Sequence, residues 1–471
     1  MNELLKKDGQ GIRATLDNTV KAAMSYFEKQ QSLPPGRTVK NLPLIDLPEN
    51  GIGADSVIDY FAKNYLNQIG NSAGPRYFGF VTGGSTPASV AGDWMVSALD
   101  QNNCGSNDSV APQLERVTLH FLKQLFGIDP DYFGTFVTGA TMSNFVGLSL
   151  ARQWAGEKAG INVAEQGLSN LNFKIISGTP HSSIYKSLSM LGLGRKSLIK
   201  IDTLPGREAI DIDKLENFLK QEHQANPIIV VANAGTVNTV DFDDLEAIGL
   251  LKQKYGFWLH LDAAFGGFAA ASDKYKHLMR GVNHADSICI DAHKWLNVPY
   301  DSAMQFTRHK DLQMTVFQNS AAYLGDPALS PDFYHYTPEN SRRWRSLPAW
   351  FSLMAYGKEG HVEIVERNCS LAQALGQKID SSEQFKLLAP VRMNVICFTL
   401  AQENVSSEII KDFLNAVRAD GRAFFTPTVY QGKPGIRAAF SNWMTTEKDI
   451  EITWQALLEV YSKMNFHLVT N

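Results

Sequence analysis

From about residue 108 onward, short apolar segments alternate with longer segments of helical periodicity, and this alternation constrains the fold more than any other feature of the sequence. Parallel strands need long crossover connections, which are usually helices. The predicted strands are mostly apolar throughout, as expected for strands covered on both faces. They are 135–138, 174–177, 228–232, 257–262 and 287–291. The pattern therefore predicts an α/β domain on a largely parallel sheet.

The N-terminal segment lacks this alternation. Residues 1–80 have a mainly helical pattern that is interrupted at Pro34 and Pro35. Their amphipathic character leads us to expect a helical segment that packs on a partner subunit.

The C-terminal part is also distinct. A turn-rich stretch at 325–341 ends the alternation, and strand-like patches follow near 395–400 and 436–440. A chain of 471 residues is expected to form more than one domain. We therefore place a large α/β domain at 81–340 and a smaller α+β domain at 341–471.

Charge and hydrophobicity limit the kinds of partner. Lys and Arg number 44 and Asp and Glu 48, which gives a formal net charge of −4. Such a chain has no strong field to attract nucleic acid or an anionic membrane. No apolar segment approaches the ~18 residues that a spanning helix needs. We expect a small-molecule ligand, no nucleic-acid partner and no membrane span.

The cysteines and the N-terminus bear on location. Cys104, Cys289, Cys369 and Cys397 are not spaced as metal ligands or as a redox pair. We therefore expect a reducing compartment and no metal site. The first 30 residues carry charges of both signs and lack the apolar core of a signal peptide. Together these features predict a cytoplasmic location.

A carboxylate is predicted at the carboxyl edge of the sheet, where α/β proteins bind ligands. The strand 257–262 ends at Asp262 and continues into a glycine-rich turn. Ala264 is expected to face the same side, where its small methyl suits a flat ring. Two interpretations are open for Asp262: a partner for a cofactor's ring nitrogen, or a cap on the following turn.

A lysine follows the next predicted strand. Residues 287–291 deliver His293 and Lys294 to the same edge of the sheet. Lys294 is either a solvated lysine at a helix start or an amine nucleophile. For the nucleophile we expect partial burial to lower the pKa of the amine. The presence of Asp262 at the same edge favours an amine that forms a Schiff base.

A possible phosphate site lies upstream. Gly139, Ala140 and Thr141 lie between a predicted strand and a predicted helix. The free backbone amides of a helix start favour an anion, and the hydroxyls of Thr141 and Ser143 are additional donors. An ordinary helix cap is the alternative, since the turn matches neither common nucleotide-binding fingerprint.

Two further polar residues are predicted near this edge. His181 precedes a helix, where its ring either stacks on a cofactor or is an ordinary loop histidine. Thr236 follows the strand 228–232, and its hydroxyl bonds either the cofactor or the local backbone.

Along the chain the order is phosphate turn, histidine, threonine, strand-end aspartate and then lysine. This order and the motifs resemble those of the group II pyridoxal-phosphate-dependent amino-acid decarboxylases, which include aromatic-amino-acid, glutamate and diaminobutyrate decarboxylases. The resemblance spans nearly the whole chain, and HLDAAFGG and DAHKWLN are its most specific motifs. Supporting motifs are PRYFGFVTGGSTPAS, APQLERV, TGATMSN, PHSS, SRRWRSLPAW and IRAAFSNWMTTEKDI. The resemblance implies an aspartate-aminotransferase-like fold (fold type I) with a mostly parallel seven-stranded sheet.

The resemblance also implies the cofactor and its ligands. Pyridoxal 5′-phosphate (PLP) would be held as a Schiff base on Lys294, with Asp262 at the pyridinium nitrogen. His181 and Ala264 would sandwich the ring, and His181 would also act in catalysis. The remaining cofactor contacts would be Ala140, Thr141 and His293 at the phosphate, Ser143 and Asn144 nearby, and Thr236 at the side.

On the substrate side, Tyr323 matches a loop tyrosine that protonates the substrate carbon after carbon dioxide leaves; a plain interface aromatic is the alternative. Arg437 is the leading candidate for the substrate carboxylate, and a salt bridge inside the small domain is its alternative. The other pocket residues, partly from a second subunit, would be Phe80, Thr82 and the loop near Asn102 and Asn103.

The implied function is decarboxylation of an L-amino acid to its amine by a homodimer with a shared active site. The alternatives are another fold-type-I enzyme, such as an aminotransferase, a carbon–carbon lyase or an aldehyde-forming decarboxylase, and a non-catalytic PLP-binding protein. Tyr323 argues against aldehyde formation. The sequence leaves the substrate open.

Overall fold

The computed structural model describes residues 1–37, 41–105, 108–168, 171–319 and 332–464. The helices are α1 Glu3–Gln10, α2 Ile12–Phe27, α3 Ala54–Asn64, α4 Pro87–Leu99, α5 Ala111–Phe126, α6 Ala140–Lys158, α7 Val163–Gln166, α8 Ser182–Met190, α9 Ile212–Glu222, α10 Leu245–Tyr255, α11 Ala292–Trp295, α12 Lys310–Phe317, α13 Ser346–Asp380, α14 Ser407–Asp420 and α15 Glu447–Lys463. Helix α13 is kinked at Gly357, where φ is 60°.

The strands are β1 Phe133–Val137, β2 Lys174–Ser177, β3 Leu198–Lys200, β4 Ile228–Asn233, β5 Trp258–Asp262, β6 Ser287–Asp291, β7 Ala303–Thr307, β8 Phe385–Leu387, β9 Val395–Leu400, β10 Thr426–Tyr430 and β11 Lys433–Ala439. Strands β1 to β7 form one sheet and β8 to β11 another.

The large sheet has seven strands in the order β1-β7-β6-β5-β4-β2-β3. Strands β6, β5, β4, β2 and β3 run parallel to one another, whereas β7 runs antiparallel to both β1 and β6. Strands β4, β5 and β6 are buried along their whole length because helices cover the sheet. Their carboxyl ends therefore form a central, protein-enclosed edge.

The small sheet is antiparallel, with the order β10-β11-β9-β8. Its buried face packs against α14, α15 and the C-terminal part of α13 in a core of its own, which includes Phe398, Phe413 and Leu457. Several of the helices start at side-chain caps. Ser406 accepts a hydrogen bond from the Ile409 amide before α14. Thr446 and Asp449 form a capping box before α15.

The predicted strands correspond to β1, β2, β4, β5, β6, β9 and β11, with bounds that differ by a few residues at most. The sequence did not reveal β3, β7, β8 and β10. Strands β3 and β8 have only three residues each. Strand β7 places a buried polar residue, Gln305, in its centre, so its pattern is not that of an apolar strand.

The N-terminal segment is less helical than predicted, since α1, α2 and α3 cover only part of it. No helix in the described ranges is both long and apolar enough to cross a membrane.

Candidate active site

A cavity of about 280 Å³ lies at the carboxyl edge of the large sheet. Asn233 and Asp262, the last residues of β4 and β5, line it, as does Lys294 just after β6. This is where a parallel sheet binds ligands, because the connections leave the strands there in different directions. The lining residues are Phe80, Val81, Thr179, His181, Asn233, Gly235, Thr236, Val237, Asp262, Ala264, Phe265, His293, Lys294, Tyr300 and Arg437.

Both oxygens of Asp262 accept hydrogen bonds from the protein. The Asn144 side-chain amide donates to Oδ2 at 3.0 Å, and the Ala264 backbone amide donates to Oδ1 at 3.2 Å. The residue is only 6% exposed. Its carboxylate therefore has a fixed plane, and its remaining lone pairs are available to a donor in the cavity.

Lys294 lies one turn from an acidic partner. Its Nζ is 3.1 Å from Oδ2 of Asp291, and the ammonium also lies 5.8 Å from the centre of the Phe265 ring. Burial disfavours the ammonium, but the charges of Asp291 and Asp262 outweigh burial and raise the pKa of Lys294 above its ordinary value. The expected lowering of this pKa is therefore wrong, because the carboxylate of Asp291 lies against the amine.

Two histidines of the cavity are neutral near pH 7. Burial lowers the pKa of both His181 and His293, and the nearby carboxylates do not offset it. The Ser183 backbone amide donates to Nδ1 of His181 at 3.2 Å, so the proton of this ring is on Nε2. The ring of His293 lies 4.2 Å from that of Tyr300, centre to centre.

The predicted phosphate turn adjoins the cavity. Helix α6 begins at Ala140, and Gly139 before it provides no side-chain cap. A Cβ on Gly139 would lie 3.4 Å from Cε1 of His293, so the helix start and this lining residue are neighbours. The first amides of α6, with Ala140 and Thr141, are thus placed as an anion site would require.

Two residues expected near the phosphate are engaged elsewhere. The Ser143 hydroxyl donates to the Met304 carbonyl at 2.9 Å. Asn144 contacts Asp262 and Ser183 through its side-chain nitrogen. Both side chains are fully buried. The expectation that Ser143 adds a donor at the phosphate is therefore wrong, because the strand β7 carbonyl binds its hydroxyl.

The hydroxyl of Thr236 is bound within the protein although the residue lines the cavity. It donates to Oε2 of Glu208 at 2.5 Å and accepts from the Asp241 backbone amide at 2.9 Å. Of the two interpretations left open, the local backbone contact is the one observed. Thr236 thus presents its remaining surface to the cavity as a wall.

Arg437 reaches the cavity from β11 and is 4% exposed. It donates to the backbone carbonyls of Val237 and, at 2.6 Å, Phe80. The alternative of a salt bridge within the small domain does not hold among the described residues, since these contacts lead to the large domain and to residue 80. Its Nη2 atom is buried and has no described partner. Desolvation lowers the pKa of Arg437 to about 10, which leaves it charged at neutral pH.

The other predicted substrate residues are dispersed. Phe80 lines the cavity with φ 56°, whereas Thr82 lies behind it and contacts the Tyr300 hydroxyl at 3.4 Å. Asn102 and Asn103 do not line this chain's cavity. Tyr323 lies outside the described residues.

Asn102 and Asn103 contact a cluster around a buried ion pair instead. Asn103 donates to Glu115, and Asn102 accepts from the Arg342 backbone amide at 2.8 Å. Arg342 and Glu115 form a buried ion pair of 2.8 Å, with side chains 1% and 0% exposed. The cluster fastens the start of the C-terminal region to α5.

Sequence reasoning missed three polar groups next to the cavity. Asp291 has a local signal, since it precedes Lys294 by three residues at a strand–helix junction. Glu208 comes from a distant loop, and His260 is at an inward position of β5, so neither has a local signal.

The donor set fits PLP. The cavity offers an amine, a buried carboxylate, a neutral imidazole and the orphaned Nη2 of Arg437, with a bare helix start beside it. Within the described residues, no group of three or more His, Cys, Asp and Glu side chains is placed to hold a metal ion.

Comparisons with known proteins agree with this geometry. Residues 35–401 match the model of the pyridoxal-dependent decarboxylase conserved domain. An aromatic-L-amino-acid decarboxylase of Bacillus atrophaeus is 25% identical over 96% of this chain and 95% of its own. A phenylacetaldehyde synthase of Arabidopsis thaliana is 24% identical over 92% and 91%.

The crystal structure of Oryza sativa TDC with PLP and tryptamine superposes with a TM-score of 0.89 at 20% identity, covering 98% of this chain and 99% of that one. The fold is that of the fold-type-I PLP enzymes, as the sequence predicted. Since the family model matches well over half of the sequence, the chain belongs to the pyridoxal-dependent decarboxylase family and is a PLP-dependent amino-acid decarboxylase.

Proposed function

We propose that this enzyme converts an L-amino acid to the corresponding amine and carbon dioxide, with PLP attached to Lys294. The observation that carries the proposal is that Lys294 and Asp262 line one cavity of about 280 Å³ at the sheet edge. An amine and a carboxylate that line one such space suit the two ends of one pyridine ring.

The other cofactor contacts follow from this orientation. His181 and Ala264 lie on the faces of the ring, and Asp262 accepts from the ring nitrogen. The amides of Ala140 and Thr141 at the start of α6 bind the phosphate, because a helix N-terminus favours an anion.

When bound, PLP supplies an electron sink for the carbanion that remains after carbon dioxide leaves. Asp262 holds a proton on the ring nitrogen, which is what makes the ring an acceptor. Arg437 would bind and orient the substrate carboxylate through its free Nη2. On the sequence resemblance, Tyr323 donates the proton to that carbon.

We assign the substrate to the aromatic L-amino acids. The charged cations of the described lining are Lys294, which is committed to the cofactor, and Arg437, which is committed to the α-carboxylate. An acidic side chain would find no further cation there. Phe80 and Val81 form apolar walls, and the Bacillus relative carries the name of an aromatic-L-amino-acid decarboxylase.

Carbon dioxide release tests the substrate class. L-phenylalanine, L-tyrosine and L-tryptophan are expected to give higher kcat/KM values than L-glutamate and L-2,4-diaminobutyrate. A higher value for L-glutamate would refute the assignment.

Borohydride reduction tests the role of Lys294. The purified holoenzyme should be yellow and should lose this colour on reduction. The reduced PLP should then be found attached to the peptide that contains Lys294. Lys294→Ala should bind PLP reversibly and release no carbon dioxide. Labelling of another lysine would refute the assignment of the amine.

The product distinguishes the proposed reaction from aldehyde formation. Tyr323→Phe should shift the product from amine towards aldehyde and ammonia. If amine output is unchanged, Tyr323 is not the proton donor.

We also propose a homodimer that completes the site. Helices α1 and α2 expose a stripe of apolar side chains, between 38% and 68% exposed, that no described residue covers: Leu5, Ile12, Leu16, Val20, Met24 and Phe27. Light scattering should give twice the chain mass. Leu16→Glu should dissociate the dimer, whereas Ala14→Glu, at an exposed position on another face of α2, should not. A fully active monomer would contradict the proposal.

A cytoplasmic location is proposed as well. All four cysteines are free and buried, which suits a reducing compartment. Thiol titration of the unfolded protein under non-reducing conditions should find four thiols per chain, and fewer would contradict this location.

A further inference from the structure

Behind Asp262, away from the cavity, buried polar side chains form one continuous chain of hydrogen bonds. Asn144 Nδ2 contacts Oδ2 of Asp262 at 3.0 Å, and Asn144 Oδ1 contacts Nε2 of His260 at 2.9 Å. Nδ1 of His260 contacts the Ser287 hydroxyl at 2.8 Å. The Trp258 indole nitrogen contacts the same hydroxyl at 3.2 Å. The chain therefore runs from Trp258 to Asp262 across strands β5 and β6 and helix α6.

The chemistry of the end groups fixes the direction of every bond. A carboxylate only accepts, so the Asn144 amide must turn its NH₂ to Asp262 and its oxygen to His260. Nε2 of His260 must then carry the proton. An indole N–H only donates, so the Ser287 oxygen accepts from Trp258 and its hydrogen is free for Nδ1 of His260. Each donor thus points toward Asp262.

Burial makes the arrangement rigid. His260, Ser287 and Asn144 are 0% exposed, so water cannot replace a lost partner. Burial also lowers the pKa of His260 to about 4, which keeps its ring neutral, as the single Nε2 proton requires.

A glycine in the middle of helix α6 lies against the Nδ1–Cε1 edge of the His260 ring. A Cβ on Gly147 would lie 2.5 Å from Cε1 of His260 and 3.1 Å from the Ser287 hydroxyl. A glycine inside a helix normally lowers stability. Here it gives the imidazole the space that the chain of hydrogen bonds needs.

We propose that His260 and Ser287 are positioning residues for the cofactor: through Asn144 they present an oriented Asp262 carboxylate to the ring nitrogen of PLP. This inference rests on the proposed role of Asp262. Without the Ser287 hydroxyl, Nδ1 of His260 loses its donor and the proton can move to Nδ1. Nε2 of His260 would then be an acceptor and would compete with Asp262 for the NH₂ group of Asn144, so the carboxylate would lose its fixed donor and its orientation.

The first experiment needs no cofactor. In ¹⁵N-histidine-labelled apoenzyme, one ring is expected to be neutral from pH 8 to pH 5, with the proton on Nε2, and its signals should change in Ser287→Ala. Ser177→Ala is the matched control, since Ser177 is also a fully buried strand serine, with its hydroxyl on the Val231 carbonyl at 2.7 Å. If the Ser287-sensitive ring of the wild type has its proton on Nδ1, the proposal is overturned.

The second experiment isolates the ring nitrogen. Dissociation constants are measured for PLP and for the analogue with CH in place of that nitrogen. Ser287→Ala should weaken PLP binding by about tenfold and leave the analogue's constant unchanged, while Ser177→Ala changes neither. An equal loss for both ligands, or no loss, overturns the proposal. If the wild-type protein binds both ligands equally, the proposed role of Asp262 at the ring nitrogen fails instead. The histidine signals of the first experiment do not depend on that role.

Discussion

Replacing Asp291 by asparagine removes the negative charge that lies 3.1 Å from the Lys294 amine, while the shape of the side chain is nearly kept. The charges of Asp291 and Asp262 raise the pKa of Lys294 against the opposing effect of burial. In Asp291→Asn the burial effect is less opposed, so the pKa of the amine falls.

The size of the effect follows from the geometry. An opposite charge at this distance shifts a pKa by about 1 to 3 pH units. Only the neutral amine attacks the aldehyde of PLP. Below the pKa, each pH unit by which it falls increases the neutral fraction about tenfold. At pH 7.5, Asp291→Asn should therefore attach PLP at least about tenfold faster than wild type.

The assay is stopped-flow absorbance of apoenzyme mixed with PLP, measured from pH 6 to pH 10. Because the pKa of Lys294 is raised above 10.5, the wild-type rate should still be rising at pH 10, and in Asp291→Asn the whole rise should move to lower pH. Asp273→Asn is the control, because it removes the same charge from a side chain that is 93% exposed and paired with Lys276. A rate profile that stays in place or moves to higher pH would refute the role of Asp291.

Three other predictions concern stability, measured as the free energy of unfolding in urea. Arg342→Leu leaves Glu115 charged and buried and should lower the free energy of unfolding by about 3–5 kcal/mol. Arg308→Leu, which breaks a partly exposed ion pair, should lower it by less than about 1 kcal/mol. Equal losses for the two variants would contradict the argument. Burial lowers the pKa of His361 to about 4 from an ordinary 6.5, so the unfolded chain takes up the proton first and stability falls as pH drops from 6.5 to 4. His361→Leu should remove about 3 kcal/mol of that loss, and an unchanged pH dependence would exclude it. Gly147→Ala should lower stability by about 1–3 kcal/mol, because the added methyl would press against His260. Gly9→Ala, on an open helix face, should instead raise stability by up to about 1 kcal/mol. A gain in stability at Gly147 would mean that the imidazole of His260 can move.

Local sequence was sufficient to predict the sheet edge and its two principal groups. Asp262 and Lys294 each follow an apolar, β-branched or aromatic strand, and the carboxyl ends of adjacent parallel strands must meet at one edge. The order of strands and helices therefore placed both residues together, and the cavity contains both. The family match confirms the fold and the cofactor that the motifs implied.

The contacts around those groups depended on segments far apart in the chain. Glu208 binds the Thr236 hydroxyl from another loop, and Arg437 reaches the cavity from the small domain. The family resemblance implied that Asn144 lies near the phosphate. It faces Asp262 instead, because the helix packs on β5.

The sequence by itself determined which strands end in chemically active side chains, since that depends on periodicity and on the order of elements. Only the tertiary structure decided what each side chain bonds to and how its charge is balanced. A hydrogen bond or an ion pair needs two atoms placed to within a few tenths of an ångström, and the residues that carry them are often more than a hundred positions apart, such as Asn144 and His260. No local pattern encodes such distances, because they follow from how whole helices and strands pack.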